Sequence, residues 1–263
     1  MVLLFETRCG FMAGCVVLVG TSHVAKQSLR DIRGALDEWS PVVVAVELDK
    51  ARLAGLLHGG RRASSWSVLR SVGVAGFLFA FIGGFIQRRL GKATGVLPGS
   101  EMLFAVEEAK RRGLRVALID RDVQVTLRRV SVLFSWRERG RFVLDIIKAP
   151  FMQKKEMIDL RSVPDDAFVK QAILLLEKRY PGLFKALVEE RNTLMAARLA
   201  RLAATFSGTV LGVVGAGHVD GVAALLANKA FSERFAQGER VEVVKYKRQK
   251  SKRKREAKQR GST

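Results

Sequence analysis

The chain has 263 residues, of which 48% are hydrophobic, and a formal net charge of +21. That apolar content is ample for a folded core, which excludes an intrinsically disordered chain. The cysteines are only two, Cys9 and Cys15, without metal-like spacing, so neither a disulfide framework nor a cysteine zinc site is expected and a reducing, cytoplasmic compartment follows.

Along the chain, four short β-branched runs each end in polar residues: Cys15 to Val19, Val42 to Val46, Arg115 to Ile119 and Val210 to Val214. They read as buried strands. Glu6 and Arg8 interrupt the apolar amino-terminal segment, which argues for a strand there rather than a signal sequence. Lys26 to Trp39 predicts a helix closed by Ser40-Pro41. Glu101 to Arg112 predicts another, with Ser100 as its N-cap and Gly113 as its stop.

Between these helices, Ser71 to Gln87 is uncharged and contains four glycines. It is just under the length that spans a bilayer, and an apolar helix over about residues 66–90, buried or at an interface, is the expectation, with a membrane-inserted segment as the alternative. A homodimer would give it cover. Arg121 to Ala149 predicts one or two helices broken near Gly140, Pro164-Asp165-Asp166 starts a helix to Tyr180, and Pro181-Gly182 separates it from a longer one through Thr205. Val241 to Lys245 predicts a last edge strand. The expected fold is α/β, a central, mainly parallel sheet with flanking helices and a helical middle insertion, over residues 1–244.

From Lys245 to Arg260 stand ten Lys or Arg residues against the single Glu256, almost half of the charge excess. Residues 245–263 therefore predict a solvated tail, able to touch anionic membrane or nucleic acid without sequence specificity.

Two of the three histidines share one setting, G-x-x-H directly after an apolar run: His23 after Gly20 and His218 after Gly215. A parallel sheet collects its strand ends on one rim, where open α/β sheets bind ligands. That rim would hold His23, Glu47 with Asp49, Asp120 with Arg121 and Asp122, and His218 with Asp220. His23, Glu47 and His218 could ligate a divalent ion such as Zn²⁺, Mn²⁺ or Co²⁺, because a carboxylate ending VVVAVE is costly to ionise without a cation or donor. An ion with an open position lowers the pKa of bound water and polarises a carbonyl, the chemistry of peptide, amide or ester hydrolysis. Arg121 could stabilise the oxyanion, and Asp122 could serve as base. Against this stands a structural pairing of Glu47 with Arg121 or Arg52. GAGHVDG also admits a dinucleotide-loop reading, but too little chain follows it; Gly217 is then expected to turn the backbone tightly so that His218 faces the site. His58, beside two glycines and two arginines, is read as an exposed loop residue.

GTSHVAKQS, VVVAVELDKAR, LPGSEM, LIDRD, Glu190-Arg191-Asn192 followed by LMAARL, and GAGHVDG together resemble the TraB/PrgY family over most of residues 15–225. The family looks related to Tiki-type, erythromycin-esterase-like and ChaN-like proteins, which share paired G-x-x-H motifs and an acidic residue after a strand. The resemblance implies an EreA/ChaN-like α/β fold and a metal-dependent hydrolase or peptidase, and bacterial members are linked to the control of peptide pheromones. It points to His23, Glu47 and His218 as site residues, with Arg121 and Arg191 in matching motifs, and it singles out Glu190, which in a long helix would otherwise be read as solvated. Many prokaryotic relatives carry a hydrophobic membrane region after this domain, where this sequence has its basic run. The alternative function is a noncatalytic regulator of the same fold that binds a peptide or docks on a membrane.

Overall fold

The computed structural model describes residues 2–5, 14–21, 25–58, 99–148, 166–236 and 243–245. The first strands are β1 (Val2–Phe5) and β2 (Gly14–Thr21), followed by α1 (Ala25–Trp39), β3 (Val43–Val46) and α2 (Lys50–His58). Next come α3 (Ser100–Arg112), β4 (Arg115–Leu118), α4 (Val123–Leu133), α5 (Trp136–Lys148) and α6 (Asp166–Arg179). A short α7 (Pro181–Phe184) runs through a π-helical turn (Lys185–Glu189) into α8 (Glu190–Thr205). The remaining described elements are β5 (Gly208–Gly215), α9 (Ala216–Ala227), α10 (Lys229–Ala236) and β6 (Val243–Lys245).

The strands form one sheet in the order β1-β2-β5-β3-β4-β6. The inner four are parallel, and β1 and β6 flank them antiparallel. Alternate residues point to opposite faces, and both faces are covered, which is why the strands read as unbroken apolar runs. Val16, Leu18, Val210 and Val214 pack with Met195 and Leu199 of α8 and Val219 and Val222 of α9. On the other face Val17, Val19, Val44 and Val213 pack with Ile32 and Leu36 of α1 and Met102 and Val106 of α3. A separate cluster of Val130, Phe134, Leu183 and Ala186 joins α4 to α7 and the π turn, with Phe142 and Tyr180 against it.

The fold class is the expected one, and two local expectations are corrected. Helix α3 begins at Ser100 itself, preceded by Gly99 in the left-handed region (φ 90°) with no side-chain cap, whereas Gly113 (φ 72°) stops it as expected. The break between α4 and α5 falls at Phe134-Ser135, and Gly140 lies inside α5. Its cause is a capping box: Glu138 Oε2 accepts the Ser135 N–H at 2.8 Å and Ser135 Oγ accepts the Glu138 N–H at 3.3 Å. Helix α2 carried no expectation at all. The apolar segment 66–90, Cys9 and the tail beyond Lys245 lie outside the described residues. Among the described residues no helix is long and apolar enough to cross a membrane.

Candidate functional site

Register brings the strand ends to one rim: Thr21 of β2 lies beside Gly215 of β5, and Val46 of β3 lies between Val213 of β5 and Leu118 of β4. Residue 47 therefore leaves the sheet at its centre, next to the start of α9. Glu47 is buried, at 8% exposure, so its charge needs partners. Its Oε2 accepts the Gly215 N–H at 2.7 Å, at the amino end of α9, and its Oε1 accepts from Arg191 Nη2. Burial works to raise its pKa, but His218, Arg191, the Gly215 N–H and Arg52 outweigh that and hold it at about 2. The carboxylate is ionised at neutral pH. It occupies the Gly215 N–H, one of the donors that a pyrophosphate would use at this strand–helix turn, which argues against the dinucleotide reading.

Arg191 is the hub of the site. Asp120, following β4, grips it bidentately, accepting from Nε on Oδ1 at 3.0 Å and from Nη2 on Oδ2 at 2.7 Å. Its Nη1 reaches His218 Nε2 at 3.0 Å and the Leu187 carbonyl at 3.3 Å. The π-helical turn Lys185–Glu189 immediately precedes it. One added residue per turn shifts the register of the helix face, so that neighbouring Glu190, Arg191 and Asn192 all find partners inside the protein. Burial works to lower the pKa of Arg191, and Glu47 and Asp120 reverse that and raise it.

His218 sits in the first turn of α9 and is 9% exposed. Asn192 Oδ1 lies 2.7 Å from its Nδ1. A carbonyl oxygen only accepts, so Nδ1 carries the proton and Nε2 presents a lone pair, to which Arg191 donates. Burial lowers the pKa of His218 against the pull of Glu47, so the imidazole is neutral at pH 7. Gly221 makes room for the orienting amide: a Cβ there would lie 2.1 Å from Asn192 Nδ2. Gly217 does not serve the tight turn expected of it. It is helical with no positive φ, and a Cβ would press on Ile173 Cδ1 at 3.0 Å.

The other residues singled out by sequence divide between this cluster and its surroundings. Arg121 spends its guanidinium on Thr126 Oγ1 at 3.0 Å, Glu190 Oε2 at 3.0 Å and the Ala186 carbonyl at 2.8 Å. Glu190 also chelates Arg129, so the two arginines and the glutamate tie α4 to the turn that carries Arg191. Asp122 is the N-cap of α4, accepting the Gln124 N–H at 2.6 Å. Asp49 caps α2 through Oδ1, accepting from Ala51 and Arg52 N–H at 2.8 and 3.0 Å, while its Oδ2 is buried with no partner among the described residues. Asp220 pairs at the surface with Lys170 at 2.9 Å. His23 lies in residues 22–24, outside the described residues, and so does the side chain of His58. The partner of Glu47 is Arg191, not Arg121 or Arg52; Arg52 reaches Asp120 instead, at 3.3 Å. Asp120 and Asn192 are the two residues whose weight the sequence understated.

The donor set can be compared with what a divalent ion needs. His218 Nε2 and Glu47 Oε1 are 3.5 Å apart. Two atoms each about 2.1 Å from one ion can be separated by that distance. Asn192 on the far nitrogen is the kind of outer partner that fixes a ligating imidazole. The position between them is bridged by the Arg191 guanidinium, and no group of three or more His, Cys, Asp or Glu with ligand geometry occurs among the described residues. Of the three expected ligands, Glu47 and His218 lie 3.5 Å apart and His23 is outside the described residues.

The comparisons with known proteins agree with the motifs. The model of the TraB/PrgY/gumN family matches residues 12–233. The chain is 32% identical over 211 residues to an uncharacterised protein of Methanocaldococcus jannaschii, covering 79% of this chain and 52% of that protein. It is 26% identical over 234 residues to a TraB domain-containing protein of Bos taurus and 25% identical over 238 residues to one of Homo sapiens, in each case covering 79% of this chain and 61% of the relative. The chain thus spans between about half and three fifths of the length of these relatives.

Proposed function

The chain belongs to the TraB/PrgY/gumN family, and from that premise we propose that the rim cluster is the centre of a metal-dependent hydrolase acting on peptides or on small amides or esters. His218 and Glu47, with His23, would hold the ion. The observation that carries this reading is the pairing of a buried, ionised Glu47 with the unprotonated Nε2 of His218 at 3.5 Å. Bound there, a divalent ion would supply an activated water and polarise the scissile carbonyl.

The chain's own residues have distinct parts in this reading. Asn192 keeps the proton on Nδ1 of His218, so that Nε2 would be the nitrogen free to ligate an ion. Asp120 keeps Arg191 in place through two bonds that do not involve Glu47 or His218. Release of those two partners would leave Nη1 and Nη2 of Arg191 aimed at the space beside them, where they can bind an oxyanion or a substrate carboxylate. Arg121 and Glu190 act one step back, bracing the turn from which Arg191 projects.

A second reading is favoured by one observation: Glu47 and Asp120 are already answered by Arg191 and Arg52. A site balanced in this way suits a noncatalytic peptide-binding regulator. Elemental analysis of the purified chain, beside turnover of a fluorogenic peptide and ester panel, separates the two. The hydrolase reading expects bound Zn, Mn or Co and metal-dependent turnover, both lost in His23→Ala/His218→Ala. Peptide binding without turnover, with metal content unchanged in that double variant, contradicts it.

A further inference from the structure

Helix α5 presents a surface that the rim site does not explain. Successive residues turn by about 100° around a helix, so Trp136, Gly140, Val143, Leu144 and Ile147 share one side. The opposite side packs: Glu138 binds Ser135 and the Gly182 N–H, Phe142 stacks edge-on with Phe134 and Tyr180, and Asp145 pairs with Arg179 and Tyr180. The apolar side is therefore the outermost one. Trp136 is 83% exposed and Ile147 59%, with Val143 and Leu144 about half exposed. A contiguous apolar stripe of this kind on a protein surface calls for a partner.

The charges on the same helix say what that partner carries. Its two acidic residues are both engaged away from the stripe, Glu138 buried and Asp145 partly exposed on Arg179 and Tyr180. Arg137, Arg141 and Lys148 are exposed and run along one edge of the stripe. A second copy of this chain would bring the same basic edge and no carboxylate on that face to meet it. An apolar stripe ending in Trp, bordered by Arg and Lys and too short at 13 residues to span a bilayer, has the make-up of a helix that lies in the headgroup region of an anionic membrane. We propose that the outer face of α5 docks on anionic lipid, with Trp136, Val143, Leu144 and Ile147 entering the acyl boundary and Arg137, Arg141 and Lys148 meeting phosphate headgroups. This inference is independent of the hydrolase reading and of the basic run after Lys245.

The test uses the full chain with Trp66→Phe, which leaves Trp136 and the partly buried Trp39, packed against the core, as emitters. It is mixed with phosphatidylcholine vesicles, with and without phosphatidylglycerol, whose acyl chains are brominated. The expected result is quenching of Trp136 only when phosphatidylglycerol is present. Leu144→Ser/Ile147→Ser should abolish it with helix content unchanged, and Arg137→Glu/Arg141→Glu should weaken binding by about tenfold or more. Any of these outcomes overturns the proposal: vesicle binding with Trp136 unquenched, which assigns the contact to the basic tail; equal quenching by neutral vesicles; or self-association in sedimentation velocity that the serine variant abolishes, which assigns the face to a second copy. Capture of an acidic helical peptide with no vesicle binding likewise overturns it, in favour of a protein partner.

Discussion

Asn192 Oδ1 lies 2.7 Å from His218 Nδ1, and this one contact decides which nitrogen of the buried imidazole can act. Asn192→Ala removes the orienting acceptor and leaves a buried N–H unpaired. By the usual weight of such outer partners, metal affinity or activity should fall by about 10–100-fold. Gly221→Ala should show the same loss, because the added methyl displaces Asn192. Nitrogen-15 NMR of the histidines checks the mechanism: the wild type should show a single Nδ1–H tautomer for His218, and a mixture in the wild type would contradict it.

Arg191 joins two buried carboxylates, so its loss should be costly. Arg191→Met leaves Glu47 and Asp120 without their main counter-charge, and breaking a buried pair by removing one partner costs about 3–5 kcal/mol. Adding Glu47→Gln to that variant should restore part of the loss. Urea unfolding of the three proteins measures this, and a cost below about 1 kcal/mol for Arg191→Met would mean that the cluster is solvated.

The pH dependence of stability has a defined sign. The folded-state pKa of His218 lies below its ordinary value, so the unfolded chain binds the extra proton first as pH falls. Stability should therefore decline as pH drops below about 6.5 and level off above it. His218→Gln should flatten that limb. Glu47, held at about 2, acts with the same sign in a lower window: its contribution is complete above its unfolded pKa and is lost as pH falls towards 2. An unchanged limb between pH 5 and 7 in His218→Gln, followed by thermal melts, would contradict the assignment.

Glu190 is predicted to brace rather than to react. It is partly exposed, with side-chain exposure of 20%, so its pairs with Arg121 and Arg129 are screened, and Glu190→Gln should cost about 1–2 kcal/mol. Bound metal should be unchanged. Loss of metal in this variant, with the fold intact by circular dichroism, would place Glu190 in the site itself.

The strands were legible because each is a short β-branched run buried on both faces, and the strand ends that precede the two G-x-x-H histidines lie side by side, Thr21 against Gly215, with His23 itself outside the described residues. Glu47 was legible for a physical reason as well: a carboxylate at the end of VVVAVE needs a donor, and the structure supplies Gly215 and Arg191. Its partner was not legible from periodicity. Adjacent charges in a long helix usually face solvent, and the π-helical turn before Glu190 has no sequence signature strong enough to predict that three consecutive residues turn inward. Family motifs drew attention to that segment, but not to the role of Asn192. The capping box at Ser135 was readable as S-W-R-E, and the weight given to Gly140 hid it.

The most direct measurement is anomalous diffraction at the manganese edge from crystals of the full chain soaked with Mn²⁺. The account predicts a peak about 2 Å from both Glu47 Oε1 and His218 Nε2, with Arg191 still held by Asp120 but no longer bonded to Glu47. No peak at that position, with Arg191 still bridging Glu47 and His218, would contradict it.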